Sequence, residues 1–319
     1  MQEQKRRFSV VLAVVMAVAF ILSGCAEKSP NKEEAATGGE YTVDHAMGQT
    51  VIPATPKRVV VLTNEGTEAV LSMGIKPVGI VRAWGLDPIY QHLTEELKDV
   101  ELLGDENQPN LELIASLKPD LILGNKFRQE KIYKELSAIA PTVFSERLNG
   151  DWKINYEVYA KALNLKEKAD ANLVAFDKKA SDLKAELGDK GNSKVSIVRF
   201  NPGGIVRLYY NDTFSGVILK QVGLLRPAVQ DKAEFSEDVG KERIPDMEGD
   251  VLFYFTYDNE KGEAVKAEQE WQQEELWKNL NVVKNGNVHK VYDGVWNSSG
   301  GIISANLVLD DLKTYLIGS

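Results

Sequence analysis

Two α/β lobes joined by a single long helix is the fold the sequence predicts, and three observations predict it. Short apolar runs alternate with amphipathic stretches from Arg58 onward; the segment from Trp152 to Leu187 carries neither strand-like sequence nor proline; strand-rich sequence resumes at Lys194. Strand and helix in alternation imply a mostly parallel sheet covered by helices.

The elements follow in order. RVVVLT (58–63), PVGIV (77–81), DLILGN (120–125) and PTVFS (141–145) are short, mostly apolar and bounded by Pro, Gly or Asp, as strands are. Between them EGTEAVLSMG, LELIASLK and RQEKIYKELSAIA space their apolar residues by three and four, the helical period. NLVAFDKKASDLKAELG keeps that period until Gly188 can end it. In the second lobe KVSIVRFN (194–201) and IVRLYY (205–210) read as strands joined at Pro202-Gly203-Gly204, followed by DVLFYFTYD (250–258) and VHKVYDGVW (288–296). The expected boundaries are 41–163 for the first lobe, 164–188 for the connecting helix and 189–319 for the second lobe. One pattern occurs in both lobes: Glu112 precedes Asp120 by eight residues, Glu242 precedes Asp250 by eight, and each Asp opens an apolar run.

The N-terminus has a separate task. Lys5, Arg6 and Arg7 precede the apolar run Phe8–Leu22, which is shorter than the roughly 20 residues needed to span a bilayer. A charged start, a short apolar middle and a small-residue end describe a secretory signal peptide over 1–24. Leu22-Ser23-Gly24-Cys25 resembles the lipobox of bacterial lipoproteins, in which cysteine receives a diacylglyceryl group and becomes the new N-terminus. Residues 25–40 are polar, aperiodic and contain Pro and paired Gly, and so read as a lipidated flexible tether. Cys25 is the one cysteine of the chain, so the body is expected to have no disulfide. A cysteine-free exported body leans toward the outer face of a Gram-positive cell membrane.

The formal charge of −9 argues against nucleic acid as a partner and makes any group of arginines conspicuous. Ligands of open α/β sheets bind beyond the carboxyl ends of the strands. Arg82 and Trp84 follow PVGIV; Lys126 and Arg128 follow DLILGN; Arg199 ends KVSIV; and Arg207, with Tyr209 two residues on, lies in IVRLYY opposite it if the two form a hairpin. Trp296 and Asn297 end the last expected strand, just ahead of Ser298-Ser299-Gly300-Gly301. Arginine's planar fork suits carboxylate or hydroxamate oxygens. Trp84 and Trp296 fit either a cleft wall or the core. His45, His92 and His289 are scattered, without the close pairing of a metal site.

Taken together, the lipobox, RVVVLTNEGTEAVLSMGIKPVGIV, LELIASLKPDLILGNK, DVLFYFTYD and VWNSSGG resemble the substrate-binding lipoproteins of ABC importers for iron–siderophore complexes. The resemblance runs from Lys57 to the end of the chain. It implies a class III periplasmic-binding-protein fold of two Rossmann-like lobes, a monomer, a ligand held in the cleft with modest closure, and one surface glutamate per lobe docking onto the ABC permease. By position those are Glu112 and Glu242. A ferric siderophore supplies its own six oxygens to the iron, so no protein metal ligand is expected and no cofactor besides lipid on Cys25. The arginines favour an anionic, citrate-based hydroxamate. The same fold could carry haem, cobalamin or a neutral or cationic trihydroxamate. A secreted enzyme is the alternative from another class, but neither a Gly-x-Ser-x-Gly elbow nor a phosphate or dinucleotide loop is present.

Overall fold

The runs of Val, Ile, Leu and Phe that read as strands form the centres of two five-stranded sheets in a computed structural model, which describes residues 39–148, 150 and 152–318. The leader, Cys25 and most of the tether lie outside the described residues. An entry hairpin, β1 (Tyr41–His45) and β2 (Gly48–Ile52), is followed by β3 (Val59–Val61), β4 (Gly79–Ile80), β5 (Glu101–Leu102), β6 (Gly104–Asp105), β7 (Gln108–Pro109), β8 (Leu121–Asn125) and β9 (Thr142–Ser145). The first sheet runs β5-β4-β3-β8-β9, and every neighbouring pair is parallel. β3, β8 and β9 are buried along their whole length, as parallel strands covered on both faces must be. The second sheet runs β12-β11-β10-β13-β14, from β10 (Val195–Phe200), β11 (Val206–Tyr209), β12 (Ser236–Val239), β13 (Val251–Thr256) and β14 (Val288–Lys290). β10, β13 and β14 are parallel, and β11 turns back against β10. The reversal needs left-handed backbone at Gly203 and Gly204 (φ +77° and +75°), which glycine adopts without strain.

The helices that matter for the site are α1 (Asn64–Ser72), α2 (Leu111–Ser116), α3 (Lys126–Gln129), α4 (Tyr133–Ile139), α5 (Trp152–Ala162), α6 (Lys166–Leu187), α7 (Phe214–Gln221), α8 (Glu263–Gln273) and α9 (Ile302–Leu316). Several are capped as their sequence announces: Thr63, Asn110, Asn125 and Thr213 each accept a backbone N–H with the side chain at the N-cap. The connecting helix is α6, ending at Leu187 with Gly188 at φ +50°. A single apolar cluster runs from the first sheet through α1, α5, α6 and α9 to the second sheet, so the lobes share a core. The outer face of each sheet has a cluster of its own. This is an α/β, class III periplasmic-binding-protein architecture.

The repeated Glu–Asp spacing is a repeated structure. Asp120 accepts the backbone N–H groups of Lys57 and Arg58, both at 2.9 Å, and Asp250 accepts that of Lys194 at 2.7 Å. Each acid thus ties the start of its own strand to the start of the neighbouring one. Glu112 lies exposed on α2, and Glu242 lies exposed in a 3₁₀ turn, Lys241–Met247.

Two elements depart from the sequence reading. The stretch 128–140 is not one helix, because a 3₁₀ turn, Glu130–Ile132, separates α3 from α4. The last expected strand stops at Lys290, and Gly294–Ser298 winds into a π-helical turn, Ser299 N–H bonding Gly294 C=O at 3.0 Å.

That turn leads into a contact between the lobes. Glu68 on α1 is fully buried and accepts Ser299 Oγ–H at 2.5 Å, Ser304 N–H at 2.8 Å and the Ser304 hydroxyl, with His92 Nε2 at 2.9 Å. α9 has only Gly301 at its N-cap, so Glu68 caps it from the other lobe. Gly301 is required there, since a Cβ would come within 2.6 Å of Glu68 Cβ. Replacing Glu68 by Ala leaves the buried Ser299 hydroxyl and Ser304 N–H without their acceptor, and the expected loss is about 3 kcal/mol of unfolding free energy, read by urea denaturation.

Candidate ligand-binding site

A cavity of about 330 Å³ opens between the lobes at the carboxyl ends of the strands. The first lobe lines it with Glu65, Trp84, Glu106, Arg128 and Leu148. The second contributes Arg199, Arg207, Tyr209 and Tyr257, flanked by Phe214 and Phe235, and Asn297–Gly300 close the base. Strand ends and the loops behind them deliver most of these side chains, and the first turns of α1, α3 and α7 deliver Glu65, Arg128 and Phe214.

Arg199 and Arg207 face each other across the β10–β11 register. Arg199 is nearly buried, and its Nε lies 2.8 Å from Asp293 Oδ1. Its Nη2 donates to Asp293 Oδ2 and to Ser298 Oγ, both at 3.1 Å, and its Nη1 donates to Tyr209 Oη at 3.3 Å. The guanidinium sits 4.5 Å from the centre of the Tyr257 ring. Burial opposes its charge, but Asp293 and the Tyr209 hydroxyl more than offset this and raise its pKa. Arg207 Nε donates to Asp238 Oδ1 at 2.6 Å, and that bond raises its pKa against a smaller effect of burial. Arg128 Nε lies 3.4 Å from Glu106 Oε2, with the guanidinium 5.4 Å from the Trp84 ring and 5.2 Å from the Phe127 ring.

These three arginines share a design. An acid stands beside the Nε of each, and hydrogen bonds to that acid orient the forks of Arg199 and Arg207. Glu106 and Glu65 also stand on the wall, so the cleft is not the bare cationic hollow the sequence suggests. Burial raises the pKa of Glu106, partly countered by the Asn64 backbone N–H and by Arg128.

The remaining predicted residues divide between this cleft and other places. Trp84, Tyr209 and Asn297 line it. Arg82 does not: its N–H and C=O are engaged by Gly104 and Asn64, and its side chain is exposed outside the cavity. Lys126 pairs with Glu146 at 3.0 Å and faces a neighbouring depression. Trp296 is fully buried core: the π-helical turn carries it inward, where it packs on Phe253 at 4.5 Å and donates Nε1–H to Asp311 at 2.7 Å. The sequence reading missed Glu65, Glu106, Tyr257, Ser298 and Ser299. Tyr257 follows β13 directly, so the strand-end rule could have found it had it been applied to aromatic as well as cationic residues.

Comparison with known proteins places this geometry. The family model described as periplasmic binding protein matches residues 59–292. The chain belongs to the periplasmic binding protein family. It is a binding protein and not an enzyme. Over 98% of this chain and 99% of the relative it is 51% identical to "Probable siderophore-binding lipoprotein YfiY" of Bacillus subtilis. It is 31% identical to the Fe(3+)-citrate-binding protein YfmC of the same organism, covering 98% of both chains. Among solved structures, Staphylococcus aureus SirA complexed with staphyloferrin B superposes with a TM-score of 0.79 at 34% identity, over 87% of this chain and 98% of that one.

Because Asp293 is buried against Arg199, removing the arginine leaves an unpaired acid. Arg199→Ala is expected to cost about 3–5 kcal/mol of stability, measured by denaturant unfolding of the unliganded protein.

Proposed function

We propose that this protein is an extracytoplasmic receptor that captures an intact ferric siderophore in the interlobe cleft and delivers it to an ABC permease for iron uptake. The observation that carries this reading is the convergence of Arg128, Arg199 and Arg207 on one cavity, each with an acid beside its Nε. Nη hydrogens of such forks suit the carboxylate oxygens of an anionic chelate, and Trp84 and Tyr257 offer flat surface to its body. The names of the relatives, which include siderophore-binding and ferric-citrate-binding proteins, support the same ligand class. The class favoured is the anionic, citrate-based hydroxamate type.

Tryptophan-fluorescence quenching against iron-loaded and iron-free chelators, haem and cobalamin tests the reading directly. Arg207 is the arginine to vary, because Asp238 behind it is half exposed and tolerates losing its partner. Arg207→Ala is expected to raise Kd for an anionic ferric siderophore about tenfold or more, since a charge-assisted hydrogen bond contributes about 1.5–3 kcal/mol. A Kd within twofold of wild type would remove Arg207 from the ligand site.

In this reading Cys25 bears the lipid anchor that keeps the receptor near its permease. Glu112 at the start of α2 and Glu242 in the 3₁₀ turn Lys241–Met247, one exposed glutamate per lobe, meet the permease. The double variant Glu112→Ala, Glu242→Ala should bind ligand normally yet lower iron uptake by cells several-fold. Weakened ligand binding in that variant would place these residues elsewhere in the mechanism.

A further inference from the structure

Glu106 is a carboxylate on the wall of a cleft read here as taking an anion, and it is held so that it cannot turn away. It sits in the β6–β7 turn and is 4% exposed. Its Oε1 accepts the Asn64 N–H at 2.7 Å and the Asn64 Nδ2–H at 2.9 Å, and Gln129 Nε2 donates to its backbone carbonyl at 2.7 Å. The other two acids behind arginines are better compensated. Asp293 receives Arg199 through two nitrogens and also Ser298, whereas Asp238 is half exposed and screened by water. The one cation beside Glu106 is Arg128, whose Nε comes to 3.4 Å of Oε2 without a hydrogen bond, and its remaining support is neutral, from Asn64 and the Trp84 indole N–H. The ionisable groups around it are Arg128 from α3, Glu65 from α1 on the same wall, Tyr159 from α5 and Tyr90. One of these four is a cation.

We propose that Glu106 is a specificity-determining residue: its charge sets the net charge of ligand that Arg128 accepts, and an anionic ligand binds together with a proton taken up on Glu106 Oε2. The inference rests on the ligand reading above. With a ligand carboxylate on the Nη edge of Arg128, one guanidinium stands between two anions in a poorly solvated wall. Their repulsion falls when Oε2 is protonated, while Oε1 keeps both Asn64 donors. Burial has already moved this carboxyl toward the neutral form before ligand arrives. The sign follows from linkage. The bound state holds more protons than the free state, so in measurements from pH 8 down to pH 5 affinity for an anionic chelate rises as pH falls, until free Glu106 is itself protonated.

The experiment compares wild type with Glu106→Gln, using ferric aerobactin as polyanionic chelate and ferrioxamine B as cationic chelate, by calorimetry across that pH range. Wild type should take up close to one proton per ferric aerobactin bound, seen as a dependence of the apparent enthalpy on buffer ionisation. Glu106→Gln should abolish that uptake, bind ferric aerobactin on the order of tenfold more tightly at pH 7, and show no gain for ferrioxamine B. A role limited to packing would move both chelates alike, which would overturn the proposal, as would an unchanged pH profile in the variant. Should Glu106→Gln fail to fold, the wild-type proton count still decides, and zero uptake overturns it. Binding of ferric aerobactin without proton uptake refutes Glu106 alone, whereas absence of binding by either chelate refutes the ligand reading and this inference with it.

Discussion

The contact between Glu68 and the start of α9 is what makes one binding site out of two lobes. A carboxylate from the first lobe caps the start of a helix of the second, and the stretch of chain just before that helix lines the cleft. Ser298 reaches Arg199 on one side of this strap, and its neighbour Ser299 reaches Glu68 on the other. The position of a ligand-facing arginine is therefore tied through two adjacent serines to the lobe opposite. An apolar cluster continuous between the lobes supports the same junction, so the cleft is set by packing rather than by a free hinge.

Electrostatics in the cleft follow from a conflict. The body is acidic, and its ligand wall gathers arginines that would be costly to hold unpaired in a half-buried space. Pairing each Nε edge with an acid resolves the cost and orients the fork, at the expense of net positive charge. In the function proposed here, recognition depends less on a strong field than on the Nη hydrogens the cleft presents. Aromatic faces from Trp84, Phe127 and Tyr257 reinforce two of the guanidiniums without adding charge.

Much of this was legible in one dimension. The strands VVV, LILGN and VLFYFT are mostly apolar because both faces are buried, and that signal needs no partner to be read. The strand-end rule found Trp84, Arg128, Arg199 and Arg207, since residues there point past the sheet whatever its neighbours. It failed at Arg82, whose backbone is fastened to the β5–β6 segment, and at Trp296, which a π-helical turn rotates into the core. Glu106 gave no signal, because GDENQP reads as an ordinary polar turn and its burial depends on α1 and α3 arriving from elsewhere.

By itself, then, the order of residues determined an acidic, cysteine-poor α/β body with two sheets, one long linking helix and arginines at strand ends. Those features depend on local periodicity, capping and composition, which are properties of short stretches. Only the tertiary structure decided which acid backs which arginine, that Trp296 belongs to the core, and that Glu68 caps α9. These pairings join residues up to 236 positions apart, and long-range proximity of that kind is fixed by how the lobes pack, leaving no trace in the spacing of the sequence.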